Sequence, residues 1–201
     1  IGKKKNVFEP ACGFGRLQKY LYNSCSYSGI DLNEIFINFH IAPLPEYRGC
    51  NQFSYAIIND DREFGTTIHR LEEDIDSGAI MFEKRFPIPA GCWIKDLYQI
   101  ACDKSIELFQ ESFPLIITGD YELVPQSSLF FERQMSHHYR HEINDLKKID
   151  LSWSKDKIQR HIRATYMPGF EPPYTIVNSQ KIYFVMQKDF NFTELIDMKV
   201  Q

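Results

Sequence analysis

Asn38 and His40 lie one residue apart where an apolar run of the chain ends. The two-residue period of a strand puts both side chains on one face. An asparagine amide N–H can donate to an oxygen that is gaining negative charge. An imidazole can donate to the same oxygen or take a proton from an attacking group. Asp76 follows His40 by 36 residues and closes a polar turn with Ser77 and Gly78. A carboxylate within reach of a histidine orients the ring and favours its charged form. Each residue also has a plain structural role: Asn38 as a strand-end cap, His40 as a satisfied buried histidine, Asp76 as ordinary Asp-Ser-Gly turn chemistry. Only their combination points to a site.

These groups must be held by the elements around them. Residues 34–40, EIFINFH, read as a strand with Ile35, Ile37 and Phe39 on one face and Phe36, Asn38 and His40 on the other. Apolar residues on both faces suggest a strand covered on both sides, as in α/β sheets, where ligands sit beyond the carboxyl ends of the strands. Pro43 and Pro45 stiffen the loop that follows. Residues 51–60 read as a short helix with Phe53, Ala56 and Ile57 on one side. FGTTIHRL and AIMFEKRFPI read as strands joined by the polar turn EEDIDSG. Residues 94–117 repeat apolar side chains at helical spacing. The stretch 119–149 is polar and irregular and reads as linker and loop. A helix capped by Ser154 comes next, then a hairpin turning near residues 178–180. The expected organisation is an α/β core over residues 1–119 and a linker, helix and β-hairpin tail over 120–201.

The bulk numbers narrow the function classes. The chain has 201 residues, 43% hydrophobic and 25% charged, with a formal net charge of -4. An acidic balance argues against a dedicated nucleic-acid binder. The five cysteines include no pair with metal-finger or redox spacing, so reduced thiols are expected. No signal peptide is expected, and no apolar run in the sequence comes near the roughly 20 residues a membrane helix needs. The expectation is a cytoplasmic protein with no membrane partner. Adjacent histidines in HHYRH (His137, His138, His141) lack a completing ligand and read as a polar loop, so no metal is expected.

The motif set resembles the folate-dependent formyltransferase family. Asn38, His40, Ala42, Leu44 and Pro45, then Arg48 and Gly49, are similar to the family's N-x-H-x-[S/A]-x-L-P segment with its following basic residue and glycine. Asp76 and Gly78 match its later D-x-G turn. Many members carry serine where this chain has Ala42. The resemblance implies a formyltransferase-type Rossmann-like sheet and 10-formyltetrahydrofolate as co-substrate. It also implies Asn38, His40 and Asp76 as the catalytic set, with Asp74 and Ile75 on the folate side. Tyr47, Arg48, Asn51 and Gln52 then line the acceptor side, with Arg163, Tyr166 and Phe170 bordering a nucleotide. The loop and tail look most like the sugar N-formyltransferases. That likeness implies transfer to the amino group of a dTDP-type nucleotide-linked sugar, and a homodimer contact through the terminal hairpin.

Rival readings remain at this level. FEPACGFGRL with GIDLN resembles the first motifs of S-adenosylmethionine methyltransferases: Glu9 ends a strand, Gly13 and Gly15 follow, and Asp31 lies 22 residues on. The others are a relative of methionyl-tRNA formyltransferases and a non-catalytic sugar-nucleotide binder. The family's N-terminal half is normally longer than the one here.

Overall fold

The computed structural model describes residues 8–9 and 36–186. Gly13, Gly15 and Asp31 of the methyltransferase-like pattern lie outside them. A four-stranded mixed sheet organises the core, in the order β1 (Phe8–Glu9), β2 (Ile37–His40), β4 (Glu63–Arg70), β5 (Ile80–Pro87). β1 pairs parallel with β2, and the other two pairings are antiparallel. Between β2 and β4 the chain makes the two-residue β3 (Arg48–Gly49) and the helix α1 (Gln52–Ile58). The long helix α2 (Ile94–Thr118) follows β5 and ends at Gly119, whose φ of 77° supplies the left-handed cap.

α2 covers one face of the sheet and joins two apolar clusters. Leu108 meets Ile37, Phe39, Ile68 and Met81 beneath the sheet, and the Phe39 and Phe109 rings meet edge to face at 5.7 Å. Nearer the start of the helix, Leu97 and Ala101 pack with Ala42, Ala56, Phe64 and Phe86. Burying one such large side chain contributes about 1.5–3 kcal/mol, so α2 ties the strand carrying Asn38 and His40 to the loop that follows. The alternation expected along residues 34–40 therefore holds over the described strand: Ile37 and Phe39 enter the core, and Asn38 and His40 face the other way.

The stretch expected to be a linker is instead pinned to the core. Val124 and Ile80 exchange backbone hydrogen bonds at 2.8 and 2.9 Å. A 3-10 turn (Gln126–Leu129) follows, and β6 (His137–His138) pairs parallel with β3. A second 3-10 turn (Arg140–Glu142) and the four-residue α3 (Ile143–Leu146) complete it. Elements of two to four residues leave no hydrophobic period to read. Their polar groups go to the loop instead: Arg48 N donates to Ser136 O and Cys50 N to His138 O. The helix α4 (Lys155–Thr165) starts where Ser154 Oγ accepts from Lys157 N. β7 (Tyr174–Val177) and β8 (Gln180–Tyr183) form the terminal hairpin. Its turn residues Asn178 and Ser179 both have positive φ, as a two-residue hairpin turn requires.

Candidate functional site

Asn38, His40 and Asp76 converge, although 36 residues of chain separate the last two. β2 presents the first two. Cross-strand register puts His69 of β4 directly opposite Asn38, and Thr67 opposite His40. The turn between β4 and β5 brings Asp76 over them. It can approach because residue 78 is glycine: a Cβ there would stand 1.9 Å from the Arg70 carbonyl oxygen. A bulge in the β4–β5 ladder falls at Ile68/His69, beside the cluster.

The carboxylate of Asp76 is the hub. One oxygen accepts from Gly49 N at 2.9 Å and stands 3.6 Å from His40 Nδ1. The other lies 3.5 Å from His69 Nε2 and 3.4 Å from Asn38 Nδ2. Burial alone would raise its pKa, but the hydrogen bond with His69, the charge of His40 and the Gly49 N–H together outweigh that and hold it at about 2. Asp76 is thus an anion at neutral pH.

A carbonyl contact fixes one donor nitrogen on each histidine. His40 Nε2 is 2.6 Å from the Tyr47 carbonyl oxygen, which only accepts, so Nε2 carries the proton. Burial pulls the His40 pKa below the usual imidazole value, and the Asp76 charge offsets this only in part. Neutral His40 then turns its unprotonated Nδ1 toward the carboxylate. A proton arriving there gains an ion-pair partner at once. His69 places Nδ1 2.7 Å from the Arg70 carbonyl, so that nitrogen donates there, and its Nε2 stands 3.2 Å from Asn38 Nδ2 and 3.5 Å from the Asp76 carboxylate.

His69 carries no signal of its own in the sequence and is absent from the expected site residues. It is one of the buried polar side chains of β4, and it shares a face with Thr67 by the period of two. The cross-strand register that sets it opposite Asn38 is the missing information.

The acceptor-side residues expected from sequence divide. Tyr47 reaches the cluster through its carbonyl. Its ring is buried in the core, and its hydroxyl donates to Asp61 and accepts from Asn59 Nδ2. Arg48 is held by Gln126, donating to its Oε1 from Nε at 3.0 Å and Nη2 at 2.7 Å. Asn51 takes a left-handed conformation ahead of α1, and its amide donates to the Tyr139 carbonyl at 2.8 Å. Gln52, half-buried, opens α1. On the expected folate side, Asp74 is exposed and its carbonyl accepts from Ser77 Oγ, and Ile75 stands 56% exposed at the turn tip.

The tail residues lie in a different region. Arg163 lines a small cleft with Asp60, Asp61, Arg62 and Cys92. Tyr166 is buried against Trp93, and Phe170 is exposed. His138 stacks on Tyr55 at 3.6 Å and pairs with Glu142 at 3.1 Å, so it buttresses the loop from behind. Cys50, Cys92 and Cys102 are free thiols. No helix among the described residues is long and apolar enough to cross a membrane.

Comparison with known proteins adds an independent observation. The family described as Formyl transferase matches residues 31–112. The GDP-perosamine N-formyltransferase of Brucella melitensis biotype 1 is 29% identical over 153 residues, covering 76% of this chain and 56% of that protein. The methionyl-tRNA formyltransferase of Streptococcus thermophilus is 28% identical over 158 residues, covering 77% and 48%. Among solved structures, the N-formyltransferase from Helicobacter canadensis, in complex with folinic acid and dTDP-3-aminofucose, superposes with a TM-score of 0.62. It shares 29% identity over 73% of this chain and 52% of that one. The chain spans about half the length of these relatives.

Proposed function

We propose, from the match to the formyl transferases over residues 31–112, that this chain moves a formyl group from 10-formyltetrahydrofolate to the amino group of a dTDP-type nucleotide-linked amino sugar. The observation that carries this reading is the hub around Asp76. Two histidines and an asparagine amide stand within 3.6 Å of a single carboxylate.

In the proposed reaction the acceptor amine attacks the formyl carbon. A bond to the amine nitrogen forms, and the bond to the donor nitrogen later breaks. Asn38 donates an N–H to the oxygen that becomes negative. Its 3.4 Å contact with Asp76 is long, so that hydrogen is easily given to a closer oxyanion. Losing one such donor typically costs about 2.7–4 kcal/mol of barrier. His40 Nδ1 receives the proton shed by the attacking amine, directly or through Asp76, and the same proton returns to the departing nitrogen. Asp76 stabilises the imidazolium formed in between. Asp74 and Ile75 form the donor-side wall. Arg48, Asn51 and Gln52 border the acceptor.

The core of residues 1–119 and the tail of 120–201 would act as one unit, since the segment after residue 119 supplies groups to the loop. Exposed Ile176, Val177, Ile182 and Tyr183 on the hairpin favour self-association as a dimer.

The test is incubation with 10-formyltetrahydrofolate and a panel of dTDP- and GDP-linked amino sugars. A mass gain of one formyl group on a dTDP-linked acceptor is expected. Gain only on a GDP-linked acceptor would reassign the nucleotide. Thermal stabilisation by S-adenosylmethionine, with none by folate or nucleotide, would sink the reading altogether.

A further inference from the structure

We propose that Gln126 is a positioning residue for this reaction, its carboxamide clamping the backbone of the Asp76 turn and so setting where the carboxylate stands between His40 and His69. The inference rests on the formyl-transfer reading above.

Gln126 is only 3% exposed. Its Nε2 donates to the Asp76 carbonyl at 2.8 Å and to the Gly78 carbonyl at 2.8 Å. Its Oε1 accepts twice from Arg48, at 3.0 and 2.7 Å. Carbonyls only accept and a guanidinium only donates, so the orientation of the amide is forced. Both hydrogens and both acceptor positions are used. No other common side chain of this length offers two donors and two acceptors at one planar end.

The turn needs such a hold. Asp76 has a φ of 50°, a left-handed conformation disfavoured for a residue with a Cβ. The turn is pressed on one side against β4, where Gly78 meets the Arg70 carbonyl. Gln126 grips it on the other. The backbone exchange between Ile80 and Val124 delivers Gln126 to this place independently of its side chain. The second half of the clamp is Arg48, whose neighbour Gly49 provides the N–H bonded to the Asp76 carboxylate. One buried amide therefore ties the aspartate turn to the strand that supplies the aspartate's own donor. A shift of about 1 Å in such an arrangement costs on the order of 100-fold in rate.

Two variants test this. Gln126→Met keeps length and burial and removes all four hydrogen bonds. Gln126→Glu keeps the partner of Arg48 and removes only the two donors to the turn. Both are expected to lower kcat by about 10–100-fold, with KM for both substrates within about threefold in Gln126→Glu, which keeps Arg48 in place, and with only the donor KM so held in Gln126→Met, which frees it. In an Asp76→Asn background the same changes should cost only about twofold more, because they act through Asp76. The ring resonances of His40, followed by NMR against pH, should titrate at a displaced position in both variants. Wild-type kcat in both variants, losses that multiply in full with Asp76→Asn, or an unmoved His40 titration would each overturn the proposal. If the wild-type protein formylates no acceptor, the reaction reading falls and the His40 titration alone decides the clamp. If Gln126→Met does not fold, Gln126→Glu carries the same three readouts.

Discussion

Replacing Asp76 by asparagine keeps the size of the side chain and removes its charge. The amide oxygen of the new side chain can still accept from Gly49 N, so the turn retains one of its anchors. What disappears is the attraction between the carboxylate and a protonated His40. The two groups are 3.6 Å apart, with side-chain exposures of 8% for the histidine and 13% for the aspartate. At an effective dielectric constant of about 20, Coulomb's law gives roughly 4–5 kcal/mol for that pair. At about 1.36 kcal/mol per tenfold, this corresponds to about a thousandfold in rate if His40 is fully charged in the transition state. Less complete transfer gives less, so kcat should fall by about 10²–10⁴-fold, the range of a positioned acid–base group. Folding should survive. The carboxylate is held at about 2 against an ordinary 3.8, which contributes about 2 kcal/mol of stability at neutral pH. The assay is formyl gain by mass under saturating donor, with circular dichroism to check the fold. A folded Asp76→Asn protein turning over within about tenfold of wild type would refute the ion-pair argument.

Other outcomes follow from the same geometry. His69→Gln, which can still meet Asn38 but loses the ring, should lower kcat by about 10-fold with little change in KM, read in the same mass assay. The stability profile should carry two acid steps. His40 titrates below 6.5 in the folded protein, so the unfolded chain binds more protons just under that pH, and stability is full above 6.5 and declines as pH falls below it. Asp76 adds a second loss as pH falls from near 3.8 toward 2. Urea midpoints against pH measure both, and His40→Gln should erase the first and shrink the second, since the charge of His40 helps hold the Asp76 pKa down. Gly78→Ala should destabilise the fold by about 2–4 kcal/mol, because its Cβ meets a backbone oxygen rather than a side chain that can swing away. A thermal midpoint equal to wild type would contradict that packing.

Asn38, His40 and Asp76 come from the motif resemblance rather than from any one local pattern, and the fold brings the three together. A period of two and a turn motif are local properties, written within a few residues of each other. The strand face, the helices α1, α2 and α4 with the Ser154 cap, and the terminal hairpin are legible for the same reason. Each follows from side-chain alternation or from the backbone preferences of a few neighbouring residues. His69 and Gln126 are not legible. One joins the site through cross-strand register and the other through a backbone exchange across 44 residues, between Ile80 and Val124. Neither relation leaves a periodic trace. Tyr47 makes the same point in reverse, since its place in the loop suggests a ligand contact, and packing turns its ring into the core and leaves only its carbonyl for His40. By itself, then, the sequence determined which groups could do the chemistry. Tertiary structure alone decided which partners hold them, because charge and hydrogen bonding depend on distance in space and not on distance along the chain.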